Sequence, residues 1–355
     1  MQKQTYYVIG LMSGTSLDGL DIAFTKFEYN NKWNYTLLQS DTIAYSDQLK
    51  DQLRNAELLN GQDLLQLHNQ YGRYLGQQCK DFISKYNIQP DFIASHGHTI
   101  FHQPNLGYTL QIGGGDYIAV HSGLTTICDF RNKDVALGGQ GAPLVPIGDL
   151  LLFSDYDACI NLGGIANISL DIDGKRIAFD ICPFNMPLNH LMKKLGYDYD
   201  PEGSFAAKGS IDTKLLQQLN DLDYYQRLHP KSLGKEWFID NILPLIELKD
   251  ADIYTFLRTF VEHYAIQISR VLNENACKKV LFTGGGTKNT FFLEVLRKHV
   301  NDNVIFDVPN EKIIDYKEAI IFAFLGALRY RNEINCLASV TGASIDSSSG
   351  NIYYP

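Results

Sequence analysis

Three glycine-rich turns, each following a β-rich run, carry the residue types best suited to hold a phosphate tail: Ser13-Gly14-Thr15-Ser16-Leu17-Asp18-Gly19, Gly163-Gly164 and Gly284-Gly285-Gly286-Thr287-Lys288-Asn289. Glycine has no Cβ to keep an anion away from main-chain N–H groups, so such turns suit a nucleotide. Taken singly, each reads equally well as a tight turn. In the first turn Thr15 and Ser16 add hydroxyl donors, while Asp18 and Asp21 add carboxylates able to hold Mg²⁺, directly or through water, beside a triphosphate. Both aspartates are also ordinary turn formers. The third turn leads into a helix expected to begin near Asn289 and Thr290, whose positive end could face an anion or pack beside adenine. No G-x-x-x-x-G-K-[ST] run exists, which excludes a P-loop, and no turn carries the full G-x-G-x-x-G of a dinucleotide fold. His96, His98 and His102 form an H-x-H-x₃-H pattern that could suggest zinc, but no cysteine or carboxylate stands nearby at ligand spacing. The expectation for His96 is a hydrogen-bonding role. A Ser-His-Asp hydrolase lacks its usual G-x-S-x-G elbow.

The elements that must present these turns are legible as two similar sets. Tyr6 to Leu11 is β-rich, and Asp21 to Phe27 alternates inward and outward residues, giving strand, turn, strand. Ala158 to Leu162, the Gly163-Gly164 turn and Ile165 to Leu170 repeat that arrangement about 150 residues later, which suggests two related halves. Apolar residues at three- and four-residue steps predict a helix from Asp63 to Tyr86 and another from Ile253 to Leu272, the latter running into a strand at Lys279 to Thr283. Short apolar runs at Phe92 to Ala94 and Thr125 to Cys128 read as strands ending in polar residues, Tyr316 to Arg331 as a late helix, and Ser344 to Gly350 as a surface loop.

At 355 residues and 40.1 kDa the chain exceeds what one core usually supports, so two domains are expected. A hydrophobic fraction of 45% with 20% charged residues permits a sizeable core and excludes a disordered chain. The formal net charge of -9 argues against a general nucleic-acid or anionic-membrane binder. The longest apolar run, Ala319 to Leu328, is about half of the roughly 20 residues that a membrane span requires. The apolar run near the first residue is too short for a signal-peptide core, so a cytoplasmic protein is expected. Six scattered cysteines without a C-x-x-C pair read as reduced, mostly buried thiols.

Gly10-Leu11-Met12-Ser13-Gly14-Thr15-Ser16-Leu17-Asp18-Gly19-Leu20-Asp21 resembles the opening motif of the anhydro-N-acetylmuramic acid kinases, bacterial enzymes of cell-wall sugar recycling. The resemblance continues through Ser95-His96-Gly97-His98-Thr99, Asp129-Phe130-Arg131, Gly138-Gly139-Gln140-Gly141-Ala142-Pro143, Asn161-Leu162-Gly163-Gly164, Phe179-Asp180, Pro230-Lys231-Ser232, Gly284-Gly285-Gly286, Glu318-Ala319 and Val340-Thr341-Gly342-Ala343. It implies an α/β protein of the actin-like sugar-kinase fold, with two ribonuclease H-like lobes around a central cleft. The lobes are expected at 1–135, joined by 338–355, and at 136–337. It also implies ATP and Mg²⁺ as cofactors, possible dimerisation, and a reaction in which water opens the 1,6-anhydro bridge while O6 takes the γ-phosphoryl group, giving N-acetylmuramic acid 6-phosphate.

Asp180 matches the family's catalytic aspartate and would act as general base, with an ordinary pKa already sufficient for ionisation at neutral pH. Gly14, Thr15, Ser16, Leu17, Asp18, Gly19, Leu20, Asp21, Gly163, Gly164, Gly284, Gly285, Gly286 and Asn289 are the expected nucleotide residues, with Asp18 and Asp21 toward the metal. His96, Arg131, Gln140 and Glu318 are the expected sugar residues. Arg131 could pair with the lactyl carboxylate or, equally, form a structural ion pair with Asp134. The chain has Ile181, Cys182 and Phe184 where the commoner family form has Thr, Gly and Gly, Asn189 where it has Asp, and His98 where it has Gln. Should either former glycine position require a positive φ or close approach to phosphate, Cys182 or Phe184 would strain or obstruct it. A kinase for another amino sugar, or a silent nucleotide- or sugar-binding sensor, are the competing functions.

Overall fold

The computed structural model describes residues 3–14, 16–247 and 252–355. They divide into two units, residues 1–152 with 315–355 and residues 153–314. In the first unit β1 (Thr5–Ser13), β2 (Leu20–Asn30) and β3 (Lys32–Ile43) form an antiparallel meander. β4 (Phe92–Gln103) lies parallel to β1, β5 (Tyr108–Ile112) pairs with the far end of β4, and β6 (Thr126–Cys128) runs parallel to β4. In the second unit β7 (Ala158–Leu162), β8 (Ile165–Ile172) and β9 (Lys175–Pro183) form the meander. There β10 (Lys279–Thr283) lies parallel to β7 and β11 (Ile305–Asp307) parallel to β10. The strand orders β3-β2-β1-β4-β6 and β9-β8-β7-β10-β11 are the same arrangement twice, the ribonuclease H-like order expected from the paired strand-turn-strand units. The last strand, β12 (Asn351–Tyr353), extends the first sheet antiparallel to β6.

Helices cover the sheets because their apolar faces match the periodicity read from the sequence. The helix Gly61–Tyr86 starts at Asn60, whose side chain accepts from the N–H groups of Gln62 and Asp63, and stops at Asn87 in the left-handed conformation (φ 48°). Its buried Leu67, Tyr71, Leu75, Cys79 and Phe82 join Ile9, Leu11, Ile22, Phe24 and Ile93 in one core. The helix Ile253–Glu274, capped by Asp252, buries Phe256, Leu257, Phe260, Tyr264 and Ile268 with Ile160, Ile168, Val280 and Phe282 in the core of the second unit. All six cysteines are buried and free, and no helix of the described residues is long and apolar enough to cross a membrane.

The boundaries expected at 135/136 and 337/338 are corrected to 152/153 and 314/315. The cause is the helix Glu311–Tyr330, whose residues Ala319 to Leu328 are wholly buried. Its backbone lies so close to β1 and β4 that a Cβ on Gly10 would stand 2.0 Å from the Ala319 carbonyl oxygen, and a Cβ on Gly326 would stand 2.5 Å from the Ala94 Cβ. Most of this helix is therefore tied to the first sheet. Ile321 packs likewise against Gly148 in the helix Val145–Leu152.

Candidate functional site

In the first unit the turn between β1 and β2 contains Gly14, Ser16, Leu17, Asp18 and Gly19; Thr15 lies outside the described residues. Leu17 adopts φ 62° and donates its N–H to the Gly14 carbonyl at 3.2 Å. A γ-branched residue in the left-handed region costs about 1–3 kcal/mol, a strain typical of functional turns. Gly19 is there for packing, since its Cβ would meet the Ile43 carbonyl oxygen at 2.6 Å, whereas a Cβ on Gly14 would meet only the Ser16 hydroxyl at 3.5 Å. Leu20 is buried at the start of β2. Asp18 and Ser16 face solvent, and half-buried Asp21 accepts from the Thr42 hydroxyl at 2.6 Å. Burial raises the Asp21 pKa, the Thr42 bond lowers it, and the charges of Asp315 and Asp18 raise it again. Mutually repelling carboxylates of this kind fit a divalent cation shared with phosphate oxygens, which needs only one or two protein carboxylates.

The first unit also gathers the four expected sugar residues. His96 is buried within β4, and its Nε2 accepts from Arg131 at 2.8 and 3.2 Å. A neutral imidazole is required for that, and burial, together with the Arg131 charge, holds the His96 pKa well below its usual range. Arg131 donates its third contact to the Gly141 carbonyl at 2.7 Å, and its guanidinium lies 5.9 Å from the Phe322 ring centre. Burial lowers its pKa to about 10, while Glu318 pulls in the opposite direction. Glu318 meets solvent, yet desolvation raises its carboxyl pKa, offset in part by Arg131 and Lys317. Gln140 is exposed, with its N–H tied to the Thr341 carbonyl at 2.8 Å.

The alternative pairing of Arg131 with Asp134 is corrected. Asp134 instead accepts from Gly141 N–H, the Thr341 hydroxyl and the Cys336 thiol. The three histidines likewise diverge: His98 Nδ1 meets the Ser13 hydroxyl and His102 Nδ1 that of Thr109. Among the described residues no group of three or more His, Cys, Asp or Glu side chains is arranged for a metal.

In the second unit Gly163 and Gly164 form the two-residue connection between β7 and β8. Their carbonyls accept from Asn185 and from Phe184 and Met186, so the turn is braced from below by the segment after β9. A Cβ on Gly163 would meet nothing closer than 3.3 Å and one on Gly285 nothing within 4 Å, so packing alone does not demand glycine at either position. Gly284 and Gly286 differ. Gly284 has φ 85° and would place a Cβ 2.6 Å from Asn161 Oδ1, while one on Gly286 would fall 2.5 Å from the Phe184 ring. Asn289 is the cap of the helix Thr290–Arg297, its Oδ1 accepting from Phe292 N–H at 2.9 Å. The helix thus begins where the sequence placed it, and the Asn289 side-chain oxygen, on a residue expected to meet nucleotide, is engaged by its own helix.

Asp180 pairs with Asn167 across the β8–β9 ladder. Immediately beyond it Ile181 is an extra residue on β9, a bulge that turns both Ile181 and Cys182 inward and leaves Asp180 half-buried. Asp180 Oδ2 accepts from Leu233 N–H at 2.7 Å, its N–H donates to the Lys231 carbonyl, and its carbonyl accepts from the Tyr224 hydroxyl. Among the described residues no hydrogen bond reaches Oδ1. The expected ordinary pKa is corrected: burial raises it, and the Leu233 bond offsets part of the rise. The Lys231 ammonium stands 4.8 Å from the centre of the Tyr224 ring and 5.7 Å from that of Phe179.

The feared obstruction at Cys182 and Phe184 does not arise. Phe184 has φ -122°, Cys182 is not among the residues of positive φ, and both side chains are fully buried. Phe184 packs edge-on against Phe292 and beside Tyr264, so its ring belongs to the core. Sequence reasoning missed Leu233 as a partner of Asp180. Pro230-Lys231-Ser232 stood out as a motif, but a contact made by a main-chain N–H leaves no side-chain signature.

The family model described as anhydro-N-acetylmuramic acid kinase matches residues 6–355. A protein of that name from Francisella tularensis subsp. novicida (strain U112) is 35% identical, the match covering 95% of this chain and 96% of the relative. One from Aliivibrio fischeri (strain ATCC 700601 / ES114) is also 35% identical, covering 97% and 98%. Among solved structures, a ROK family glucokinase from Streptomyces griseus in complex with glucose and AMPPNP aligns over 90% of this chain and 98% of its own, at 11% identity and a TM-score of 0.40. At so low a score the fold assignment rests on the two sheets and the family match.

Proposed function

From the premise that this chain belongs to the anhydro-N-acetylmuramic acid kinase family, we propose the following division of labour for its reaction. As a member of that family it is a phosphotransferase with an alcohol acceptor. The substrates are ATP and 1,6-anhydro-N-acetylmuramic acid. Asp180 takes a proton from water as the water oxygen bonds to C1; the C1–O6 bond breaks; O6 bonds to the γ-phosphorus and the bond to ADP breaks. The products are ADP and N-acetylmuramic acid 6-phosphate.

The observation that supports this most is the setting of Asp180: one carboxylate oxygen held by Leu233 N–H, the other without a protein hydrogen bond among the described residues, and a pKa raised by burial. A raised pKa makes the carboxylate a stronger base, and general bases contribute about 10²- to 10⁴-fold. Gly14 in the first turn and the turns at Gly163-Gly164 and Gly285 suit a close approach of phosphate oxygens to main-chain N–H groups. Asp18 and Asp21 would hold Mg²⁺, which supplies charge neutralisation on the phosphoryl oxygens. Arg131, fixed by His96 and Gly141, offers its guanidinium to the lactyl carboxylate, with Gln140 and Glu318 toward hydroxyl and amide groups. A cytoplasmic place in cell-wall sugar recycling accompanies this reading.

Incubating the protein with ATP, Mg²⁺ and the anhydro sugar, and recording product mass, tests it. A product heavier than the sugar by one water and one phosphoryl group is expected. Phosphorylation only of other amino sugars, or ATP binding without turnover, would overturn the assignment.

A further inference from the structure

Two motifs far apart in the sequence, Gly138 to Pro143 and Val340 to Ala343, have so far no reason to be kept together. Their meeting point is the buried carboxylate of Asp134, 1% exposed, on the short helix Asn132–Ala136. Its Oδ2 accepts from Gly141 N–H at 2.7 Å. Its Oδ1 accepts from the Thr341 hydroxyl at 2.7 Å and the Cys336 thiol at 3.0 Å, and its own carbonyl accepts from Gly139 N–H at 2.9 Å. Gly139 is pressed so closely that a Cβ there would lie 2.3 Å from Oδ2.

Both ends of the loop thus answer to one side chain. Gly139 and Gly141 flank exposed Gln140, whose N–H is held by the Thr341 carbonyl, and the Gly141 carbonyl in turn receives the Arg131 guanidinium. An anionic acceptor with three donors is stronger than a neutral one, and a buried charge of this kind persists only when satisfied. We infer that Asp134 is a positioning residue for sugar recognition: it fixes the 138–141 loop and, through Gly141, the Arg131 guanidinium, without touching substrate itself. This inference rests on Gln140 and Arg131 facing the sugar, as proposed above. A displacement of about 1 Å at such a group can cost about 10²-fold.

The test compares steady-state constants of the full chain for both substrates. Asp134→Asn replaces one acceptor oxygen by a donor that must face either Gly141 N–H or the Thr341 and Cys336 pair. The expected result is a rise of about tenfold or more in the sugar KM, with the ATP KM within about twofold of the parent. Thr341→Val, which removes one donor and keeps the shape, is expected to raise the sugar KM about threefold and decides the matter if Asp134→Asn does not fold. The double variant should be no worse than Asp134→Asn alone, because both act through one knot. A folded Asp134→Asn with parental sugar KM, equal losses toward both substrates, or parental constants in Thr341→Val where Asp134→Asn is not obtained would overturn the inference. Gln140→Ala and Arg131→Lys are run beside them. If neither changes the sugar KM, the assignment of the sugar site fails, and the role of Asp134 falls with it.

Discussion

In the first unit the connection after the first strand spans residues 14–19 and carries Ser16, Asp18 and a strained Leu17; in the second it is only Gly163-Gly164. The sheets beneath have the same strand order, so the scaffold does not dictate the difference. In the first unit burial is the largest cause of each shift, but charged neighbours add to it: Asp21 feels Asp315 and Asp18, Arg131 and Glu318 shift each other, and His96 stays neutral beside Arg131. In the second, Asp180 is raised mainly by burial, among Phe179, Tyr224 and a main-chain N–H. The contrast is one of neighbours on a repeated scaffold: burial shifts the groups in both copies, but in the first they also face other charges, like and unlike, whereas Asp180 is set by burial and one main-chain hydrogen bond.

The sharpest way to break that contrast is Asp180→Asn. Turnover is expected to fall by about 10²- to 10⁴-fold, while ATP affinity, measured by calorimetry, stays near parental; a variant keeping most of its activity would remove Asp180 from the chemistry. Because the parental carboxyl is raised above its ordinary 3.8, the acid limb of kcat/KM should lie above that value, with activity lost as pH falls through it.

Next in size is Phe184→Ala. Its ring fills the second core, so unfolding in urea should show a loss of about 3–5 kcal/mol with the ATP KM little changed. The reverse pattern would mean that the residue replacing a family glycine faces nucleotide.

Glycines of the same unit sharpen the comparison further. Gly284→Ala must adopt φ 85° against Asn161 and should cost about 1–2 kcal/mol or more. Gly163→Ala needs only a small shift of the Asn161 side chain, 3.3 Å from the new Cβ, and should cost no more than about 0.5 kcal/mol of stability while raising the ATP KM.

The smallest effect is expected at Asp21. A carboxyl whose pKa is raised on folding is disfavoured once ionised, so stability declines as pH rises from its ordinary 3.8 through the folded value. Asp21→Asn should therefore raise the Tm of metal-free protein at pH 7, with the gain vanishing toward pH 3.8, and should increase the Mg²⁺ needed for turnover. An unchanged Tm across that range would show that ionising Asp21 costs the fold nothing.

Much of this was open to reading in the sequence. The two strand-turn-strand units and the long helices followed from period-two and period-3.6 patterns, because burial of one face is a local property of the chain. The helix boundaries were right to within a few residues at Gly61–Tyr86 and Ile253–Glu274. β3 escaped notice because Lys32–Ile43 is a largely polar outer strand whose partner, β2, supplies the reason for its extension. The unit boundary escaped for a similar reason: the Glu311–Tyr330 helix joins the first sheet through the missing side chains of Gly10 and Gly326, a contact between residues far apart in sequence.

The candidate site divides along the same line. Residue type and order singled out the glycine turns, Asp18 and Asp21 as candidates, since phosphate and metal contact require particular atoms, and the family resemblance singled out Asp180. Only the folded chain decided that Asn289 caps its own helix, that Phe184 points into the core, that Leu233 N–H steadies Asp180, and that Asp134 ties two distant motifs instead of pairing with Arg131. Those outcomes depend on distances and on competition for hydrogen-bond partners, which exist only once segments remote in the chain have been brought together.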